Sequence, residues 1–153
     1  LSLRAHSLQA AALASSSGLS AAMTAAALLH DIGWALGGLH EITGANFSES
    51  RFGAAVADPI RAHVDAKRYL VACEPGYEAG LSAASRETLA FQGGPMSLND
   101  AERFRASSVF EDAIALRRLD DLAKEVAVNT PGLEAYRDCL IDLALGALRG
   151  EEN

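Results

Sequence analysis

The sequence predicts an all-α fold, because helix-forming residues far outnumber strand-forming ones and apolar residues recur at helical spacing. Ala occurs 31 times and Leu 21 times, whereas the β-branched residues Val, Ile and Thr occur six, five and four times. A length of 153 residues favours one domain and buries enough apolar surface to fold without cross-links. We therefore expect residues 1–153 to form a single-domain helical bundle.

Apolar spacing and capping residues predict the first two helices. Between residues 3 and 14 apolar side chains recur in a 3-4-3 pattern, and His6 fills the gap in that stripe. His6 is therefore expected to point inward. Ser20 can cap a second helix that runs to about Ile32, where Gly33 is expected to stop it.

Turn residues organise the next part of the chain. Residues 34–39 contain two glycines and are expected to form a loop, followed by a helix over 41–50. Asp58 and Pro59 fit an N-cap with proline at the first helical position, which predicts a long helix from there to about Cys73.

The second half of the chain also favours helices. The most evident turn is the run Gln-Gly-Gly-Pro-Met at 92–96. The Glu-Glu-Asn end is expected to be a solvated tail. The further predicted helices cover 83–91, 97–105, 110–126 and 133–148, and Ser97 with Asp100 resembles a capping box at the start of the second of these.

Charge and cysteine content indicate which binding partners and which cellular compartment to expect. A net charge of −7 repels nucleic acid and anionic lipid, so neither is an expected partner. The longest apolar runs, such as 25–29, are far shorter than a membrane span requires, and no targeting segment is readable. Cys73 and Cys139 match no zinc or disulfide pattern and are typical of thiols in a reducing compartment. We expect a cytoplasmic protein.

The doublet His30-Asp31 ends an apolar helical run, where two polar groups need partners. A metal ion would satisfy both side chains. Imidazole and carboxylate together suit iron, manganese or zinc in a reactive site, and no cysteine accompanies them to indicate a structural zinc site.

Another inward-facing polar pair is expected on the long helix. His63 and Lys67 share a 3-4-3 stripe with Ile60 and Leu70 and lie one turn apart. A lysine that faces inward is costly unless it meets an anion, which predicts an anionic ligand. Alternatively, Lys67 reaches solvent or pairs with a nearby carboxylate.

On a later helix, Asp120 flanks the apolar stripe, whereas Asp121 lies nearly opposite it. Asp120 is therefore the better candidate for an inward-facing acid. Arg117, three residues earlier, either forms a helical ion pair or supplies a second clamp for an anion.

These motifs resemble a known group of helical metalloenzymes. His6, the His30-Asp31 doublet and Asp120 occur in the order typical of the HD-domain superfamily. Four further runs more specifically resemble the PhnZ-type HD-domain oxygenases, which are mixed-valent di-iron enzymes related to myo-inositol oxygenase. The resemblance covers about residues 3–124, the expected metal core, and leaves the C-terminal helix at 133–148 outside. The runs comprise His40, residues 63–70, residues 92–96 and residues 117–124.

The resemblance implies an activity, a cofactor and a set of ligands. The activity is O2-dependent cleavage of the C–P bond of a 1-hydroxyphosphonate, such as 2-amino-1-hydroxyethylphosphonate or an N-methylated relative, to phosphate and a carboxylic acid. The cofactor is an Fe(II)/Fe(III) pair. One iron would be bound by His6, His30 and Asp120, and the other by His40 and His63, with Asp31 as the bridge.

The resemblance also implies a substrate site for a small organophosphonate. The matching positions are Lys67, Ser85, Thr88, Arg117 and Gln92, and Asp31, His63 and Lys67 are the expected catalytic residues. A phosphonate offers three acceptor oxygens to such donors.

Trp34 stands where members of this family usually carry a polar residue. Its indole face is suited to a cation–π contact with a quaternary ammonium group of a substrate. Alternatively, Trp34 packs within its loop.

Two other functions remain open at this point. The same six ligands would serve a binuclear HD-domain phosphohydrolase, which needs no oxygen. A helical binding module with structural histidines would need no metal. The oligomeric state is not fixed by the sequence.

Overall fold

The computed structural model describes residues 1–150 as an all-α fold, which confirms the expected fold class. The expected tail at 151–153 lies outside the described residues. In the described part, two short 3-10 helices cover Glu78–Gly80 and Leu133–Tyr136. The α-helices are α1 (Leu3–Ser16), α2 (Ala21–Leu29), α3 (Gly33–Leu36), α4 (His40–Phe52), α5 (Ala54–Cys73), α6 (Ala83–Phe91), α7 (Leu98–Ala106), α8 (Phe110–Leu122) and α9 (Arg137–Leu148).

Helix α5 forms the centre of the bundle and packs against α2, α4 and α8. Its inner face buries Val56, Ala57 and Ile60 completely, and Leu116 of α8 is equally buried. The three consecutive alanines 25–27 of α2 are also inaccessible to solvent. Because these side chains are small, α2 can approach α5 and α8 closely, which brings the end of α2 into the interior.

The predicted start of the long helix is wrong. α5 begins at Ala54, so Asp58 does not cap it and Pro59 lies inside the helix. Proline in a helix interior lacks a hydrogen-bonding N–H and costs about 3 kcal/mol. The first turn of α5 buries Val56 and Ala57 in the core, and this burial offsets the cost.

The predicted stop at Gly33 and the loop at 34–39 are also only partly right. α2 ends at Leu29, and Gly33 begins the short helix α3 instead of ending α2. A Cβ atom at Gly33 would lie 2.0 Å from the backbone oxygen of His40. Glycine is therefore required here because the start of α4 contacts the backbone of α3 directly.

Other boundaries follow the expected capping. Ser20 caps α2 and Ser97 caps α7 through their side-chain oxygens, as their positions predicted. α8 is shorter than expected and ends at Leu122. Among the described residues, no helix has the length and apolarity needed to cross a membrane. Cys73 and Cys139 are free and half-buried.

Candidate metal centre and substrate cavity

Four histidines from four segments converge in the interior. His6 lies in α1, His30 directly follows α2, His40 is the first residue of α4, and His63 lies in the middle of α5. His30 and His63 are almost completely buried, and His40 is buried as well. The close packing of α1, α2, α4 and α5 thus places four imidazoles around one point.

The Nδ1 atom of three of these imidazoles contacts a backbone carbonyl oxygen. His6 Nδ1 lies 2.6 Å from Ala123 O, and His30 and His63 make the same contact with the carbonyl three residues earlier, at 2.7 and 2.6 Å. His40 Nδ1 lies 3.3 Å from the carboxylate of Glu41. Because a carbonyl or carboxylate oxygen can only accept, each Nδ1 carries the proton and each Nε2 of a neutral ring presents a lone pair.

The Nε2 atoms face each other in two pairs. His6 Nε2 lies 3.1 Å from His30 Nε2, and His40 Nε2 lies 3.2 Å from His63 Nε2. Two lone pairs at this distance repel unless a cation or proton lies between or beside them. The arrangement therefore fits two metal ions, one at each pair.

Asp31 lies between the two histidine pairs. Its Oδ2 atom is 3.5 Å from His6 Nε2 and 3.6 Å from His30 Nε2. Its Oδ1 atom is 3.5 Å from His40 Nε2 and 3.8 Å from His63 Nε2. One carboxylate oxygen thus faces each pair, which is the geometry expected of a bridging ligand.

Asp120 supplies a second carboxylate to one pair only. Its Oδ1 atom lies 3.1 Å from His6 Nε2 and 3.7 Å from His30 Nε2. Its Oδ2 atom accepts a hydrogen bond of 2.7 Å from Arg117 Nη1. The structure therefore forms two overlapping groups of donors, which we call the first position (His6, His30, Asp31 and Asp120) and the second position (Asp31, His40 and His63).

The charges in this cluster respond strongly to one another. Burial opposes protonation of His30, but Asp31 and Asp120 outweigh it and raise the pKa of His30 to about 9. Burial and the neighbouring His30 lower the pKa of His63 to about 3. Although burial opposes the charge on Asp120, Arg117 and the two nearby histidines hold the pKa of its carboxyl well below the usual value. The carboxylates thus favour a cation at the first position, whether proton or metal.

The residues present fit a reactive metal centre. The donors are imidazole nitrogens and carboxylate oxygens without thiolate, a set suited to iron, manganese or zinc. Three of the four imidazoles are oriented by backbone carbonyls and the fourth by a carboxylate, as is usual for metal-ligating histidines. All six ligands expected from the sequence lie in this cluster.

A cavity of about 540 Å³ opens onto the cluster. Lys67 extends into it from α5, with only 2% of the residue exposed. Its ammonium donates hydrogen bonds to Ser85 O at 3.1 Å and Thr88 Oγ1 at 3.0 Å. Within residues 1–150 the structure gives this ammonium no ion pair, so the expected alternative of a carboxylate partner is not found. Burial and Arg117 lower the pKa of Lys67 to about 8.

Polar groups from α6 and α8 complete this end of the cavity. Ser85, Thr88 and Gln92 all line it, and the buried carbonyl oxygen Oε1 of Gln92 has no hydrogen-bond partner among the described residues. Lys124 reaches the same end and donates to Ser85 Oγ at 3.1 Å. The cavity thus combines two ammonium groups, two hydroxyls and an unpaired amide oxygen, which is a suitable setting for a small polar anion.

Arg117 lines the cavity, but most of its donors are already engaged. It pairs with Asp120 and with Asp121, three and four residues later on α8. Its Nε also donates to the hydroxyl of Tyr77 at 2.9 Å, and its Nη2 is 3.4 Å from Ser85 Oγ. The helical ion pair considered from the sequence is therefore present, and the guanidinium also borders the cavity.

Trp34 also lines the cavity and stacks on a candidate ligand. Its ring lies 4.3 Å from that of His40, and the two planes differ by 12°. Trp34 remains 54% exposed and lines the cavity together with Leu1 and Leu3. The packing alternative is thus realised against His40 instead of within the loop, while part of the indole stays accessible from the cavity.

Sequence reasoning missed three residues of this site. Glu41 contacts His40, and Tyr77 and Asp121 contact Arg117. The spacing of four residues between Arg117 and Asp121 could have indicated their ion pair. Tyr77 lies in a loop distant in sequence, and no periodic pattern could have placed it here.

Comparison with known proteins places this geometry in context. The HD domain family matches residues 3–123. A hydroxymethylphosphonate dioxygenase of Gimesia maris is 39% identical over 144 residues, which cover 86% of this chain and 72% of that protein. A [1-hydroxy-2-(trimethylamino)ethyl]phosphonate dioxygenase (glycine-betaine-forming) of Leisingera caerulea is 36% identical over 138 residues, with 82% of this chain and 70% of that protein covered.

A third relative, an uncharacterised protein of Acanthamoeba polyphaga mimivirus, is 34% identical over 151 residues. The alignment covers 90% of this chain and 69% of that protein. The match of residues 3–123 includes His6, His30, Asp31, His40, His63 and Asp120. The helical architecture, this match and the resemblance noted in the sequence all agree. The chain belongs to the HD domain family.

Proposed function

We propose that this chain is an O2-dependent di-iron oxygenase that cleaves the C–P bond of a 1-hydroxyphosphonate. One observation carries the proposal. Two facing histidine pairs joined by Asp31 open onto a cavity that contains Lys67, a buried ammonium with no carboxylate partner in the described part of the chain. The relatives named as dioxygenases of hydroxymethylphosphonate and of a trimethylammonium-bearing hydroxyphosphonate support it.

The six donor residues would hold two iron ions. His6, His30 and Asp120 would bind one ion and His40 and His63 the other, with Asp31 shared by both. When bound, an Fe(II)/Fe(III) pair would supply O2 activation and the electron transfer that no protein side chain provides. The Nδ1 contacts place the proton of each neutral ring on Nδ1, so that Nε2 can bind the ion.

The cationic end of the cavity would bind the phosphonate. Lys67 and the Ser85 hydroxyl would donate hydrogen bonds to its oxygens, and Arg117 adds positive charge behind Ser85. The Thr88 hydroxyl, which donates to Ser85 O, accepts from Lys67 and holds the ammonium in place. Gln92 offers its unpaired carbonyl oxygen to a donor such as the substrate hydroxyl. Because these groups fix the anion, the carbon that bears the hydroxyl is held beside the metal cluster.

Trp34 would contact the substituent on that carbon. Its indole is half-exposed and lines the cavity, to which Leu1 and Leu3 add apolar wall. An aromatic face attracts an N-methylated ammonium group through a cation–π contact. The proposed substrates therefore include hydroxyphosphonates with a methylated ammonium substituent.

The proposed reaction balances with O2 as the only co-substrate. The C–H and C–P bonds of the carbon break, and that carbon becomes a carboxylate while phosphorus leaves as inorganic phosphate. One O2 supplies the two additional oxygen atoms and accepts the four electrons that the substrate loses. Asp31, His63 and Lys67 are the proposed catalytic residues, since the first two hold the metals and the third holds the leaving phosphorus group.

The test is phosphate release from a panel of substrates. The protein is loaded with Fe(II) without oxygen and then given 1-hydroxyphosphonates with hydrogen, aminomethyl or trimethylammoniomethyl substituents, with and without O2. We expect one phosphate per O2 consumed, and no phosphate when O2 is withheld.

Variants at the shared ligand provide the control. Asp31→Ala should abolish O2 uptake, because both metal positions lose a carboxylate oxygen. Phosphate released from a phosphate ester without O2 would instead identify a phosphohydrolase. A chain that binds no metal would support a binding module and would contradict the proposal.

A further inference from the structure

Arg117 is held in place by a ring of contacts behind the first metal position. Its Nε donates to the Tyr77 hydroxyl, that hydroxyl donates to Asp121, and Asp121 pairs with Arg117 Nη2. Tyr77 comes from the loop that follows α5, whereas Arg117 and Asp121 lie one turn apart on α8. The three residues thus close a hydrogen-bonded ring across two segments of the chain.

This ring determines what Arg117 can offer to Asp120. A guanidinium has five N–H donors in a planar fork, and it prefers to bind a carboxylate through two parallel hydrogen bonds. Here Nε and Nη2 are engaged by Tyr77 and Asp121, so Nη1 alone contacts Asp120, at 2.7 Å from Oδ2. The other oxygen, Oδ1, stays directed at His6 and His30.

We infer that Tyr77 and Asp121 are positioning residues that orient Arg117 so that Asp120 presents Oδ1 to the first metal position. The inference rests on the proposed role of Asp120 as a metal ligand. Neither residue contacts the donor atoms directly, so both act through Arg117. Asp121 has a second effect, since its charge balances that of Arg117 and leaves the charge of Asp120 available to a metal.

The second position provides an internal reference. No hydrogen bond or ion pair joins His40 or His63 to Arg117, Tyr77 or Asp121. The Nδ1 atoms of the two histidines are oriented by Glu41 and by the Ile60 carbonyl. Loss of the ring should therefore weaken one metal position and spare the other. A residue that merely stabilises the fold would affect both positions.

The test is a cobalt(II) titration of the full chain without activity measurement. Binding is followed by equilibrium dialysis and by the electronic absorption of the metal. The wild type is expected to bind two ions. In Tyr77→Phe and in Asp121→Asn, we expect the affinity for one ion to fall roughly 10- to 100-fold, the usual effect of removing an outer hydrogen bond to a ligand, while the other ion binds as before.

Reference variants identify which position is affected. The spectrum of either variant with one ion bound should match that of His6→Ala, in which the first position is damaged, and differ from that of His63→Ala. The double variant should lose no more than the larger single effect, because both residues act through Arg117. Tyr69→Phe is the matched control, since the Tyr69 hydroxyl also accepts from an arginine, Arg105, but lies outside the site.

Two results would overturn the inference. Wild-type binding of both ions in Tyr77→Phe and Asp121→Asn would show that the ring does not orient Asp120. An equal loss at both positions would show a general structural role. If the wild type binds two ions but releases no phosphate after iron loading, the proposed function fails while the inference can still be decided.

Discussion

Buried polar side chains carry most of the functional information in this chain. Lys67 is the clearest example, because an ammonium with 2% exposure and no carboxylate partner in the described residues is unfavourable by itself. Two hydrogen bonds that the ammonium donates to Ser85 O and Thr88 Oγ1 of α6 keep it in place. Such a residue is best explained by an anionic ligand that completes its surroundings.

Replacement of Lys67 should therefore reduce substrate binding more than turnover. We expect Lys67→Met, which keeps the apolar stem, to raise KM for a hydroxyphosphonate roughly 10- to 150-fold, the value of a hydrogen bond to a charged group. Steady-state kinetics of the iron-loaded protein measure this. Arg61→Ala removes a half-buried cation of the same helix that pairs with Glu49 and does not line the cavity, so this control should leave KM unchanged. An unaltered KM in Lys67→Met would contradict the anion-binding role.

The pH dependence of kcat/KM offers an independent check on the same residue. Because burial and Arg117 lower the pKa of Lys67 to about 8, the ammonium loses its proton as pH rises through that value. Since kcat/KM reports ionisations of the free enzyme, we expect it to fall above about pH 8. In Lys67→Arg the decrease should shift to higher pH, because a guanidinium stays protonated. An identical decrease in both proteins would assign it to another group.

At the scale of helices, the predictions succeeded where a local pattern determines the structure. The caps Ser20 and Ser97 depend only on neighbours in sequence, and the structure agrees with them. The stripe predicted for α1 is only partly right, because His6 does point inward but Leu3 is exposed and Leu8, Ala11 and Ala14 are buried instead. The boundary at Pro59 was wrong because burial of the preceding turn in the core overrides the local preference of proline. Gly33 was misassigned because its function is a contact with α4, which sequence spacing does not reveal.

The contact at Gly33 connects a helix boundary to the metal centre. In Gly33→Ala, the new Cβ would lie 2.0 Å from His40 O, so α4 must move away and carry His40 with it. We expect a lower melting temperature and weaker binding of the ion at the second position, measured by calorimetry and by cobalt titration. Gly80→Ala is the matched control, because a Cβ there meets nothing within 4 Å. Wild-type affinity at both positions in Gly33→Ala would refute this connection.

For the molecule as a whole, the six donors expected from the sequence lie together in the structure, but the residues that surround and orient them were not all expected. Apolar stripes and the His-Asp doublet indicated five of the six donors as polar residues of the interior, whereas His40 and the assignment of all six as ligands came from the family resemblance. Tyr77 was missed because its contact with Arg117 depends on how a loop folds over α8, whereas the helical spacing of Asp121 from Arg117 was available in the sequence and was not used. The same interior that brings the imidazoles together also places two carboxylates among them, so we expect the stability of the chain to depend on a cation there.

That dependence predicts a thermal stability that varies with metal and pH together. Removing the metals should lower the melting temperature by about 5–10 °C for each ion held at a hundredfold excess over its Kd. In the metal-free chain, Asp31 and Asp120 raise the pKa of His30 to about 9, above its unfolded value. Protonated His30 therefore stabilises that form fully below pH 6.5, and this contribution is lost as pH rises through about 9.

The stability of the metal-loaded chain should instead increase as pH rises, because a metal binds the unprotonated Nε2 and meets less competition from protons at higher pH. The difference in melting temperature between the loaded and metal-free chain is thus expected to widen from pH 6.5 to 9. Comparison of the two forms at each pH cancels the titration of groups outside the site. In His30→Ala, the difference in melting temperature between the loaded and metal-free forms should be smaller and nearly constant from pH 6.5 to 9. A wild-type difference that narrows over this range would mean that proton and metal do not compete for the same nitrogen atoms.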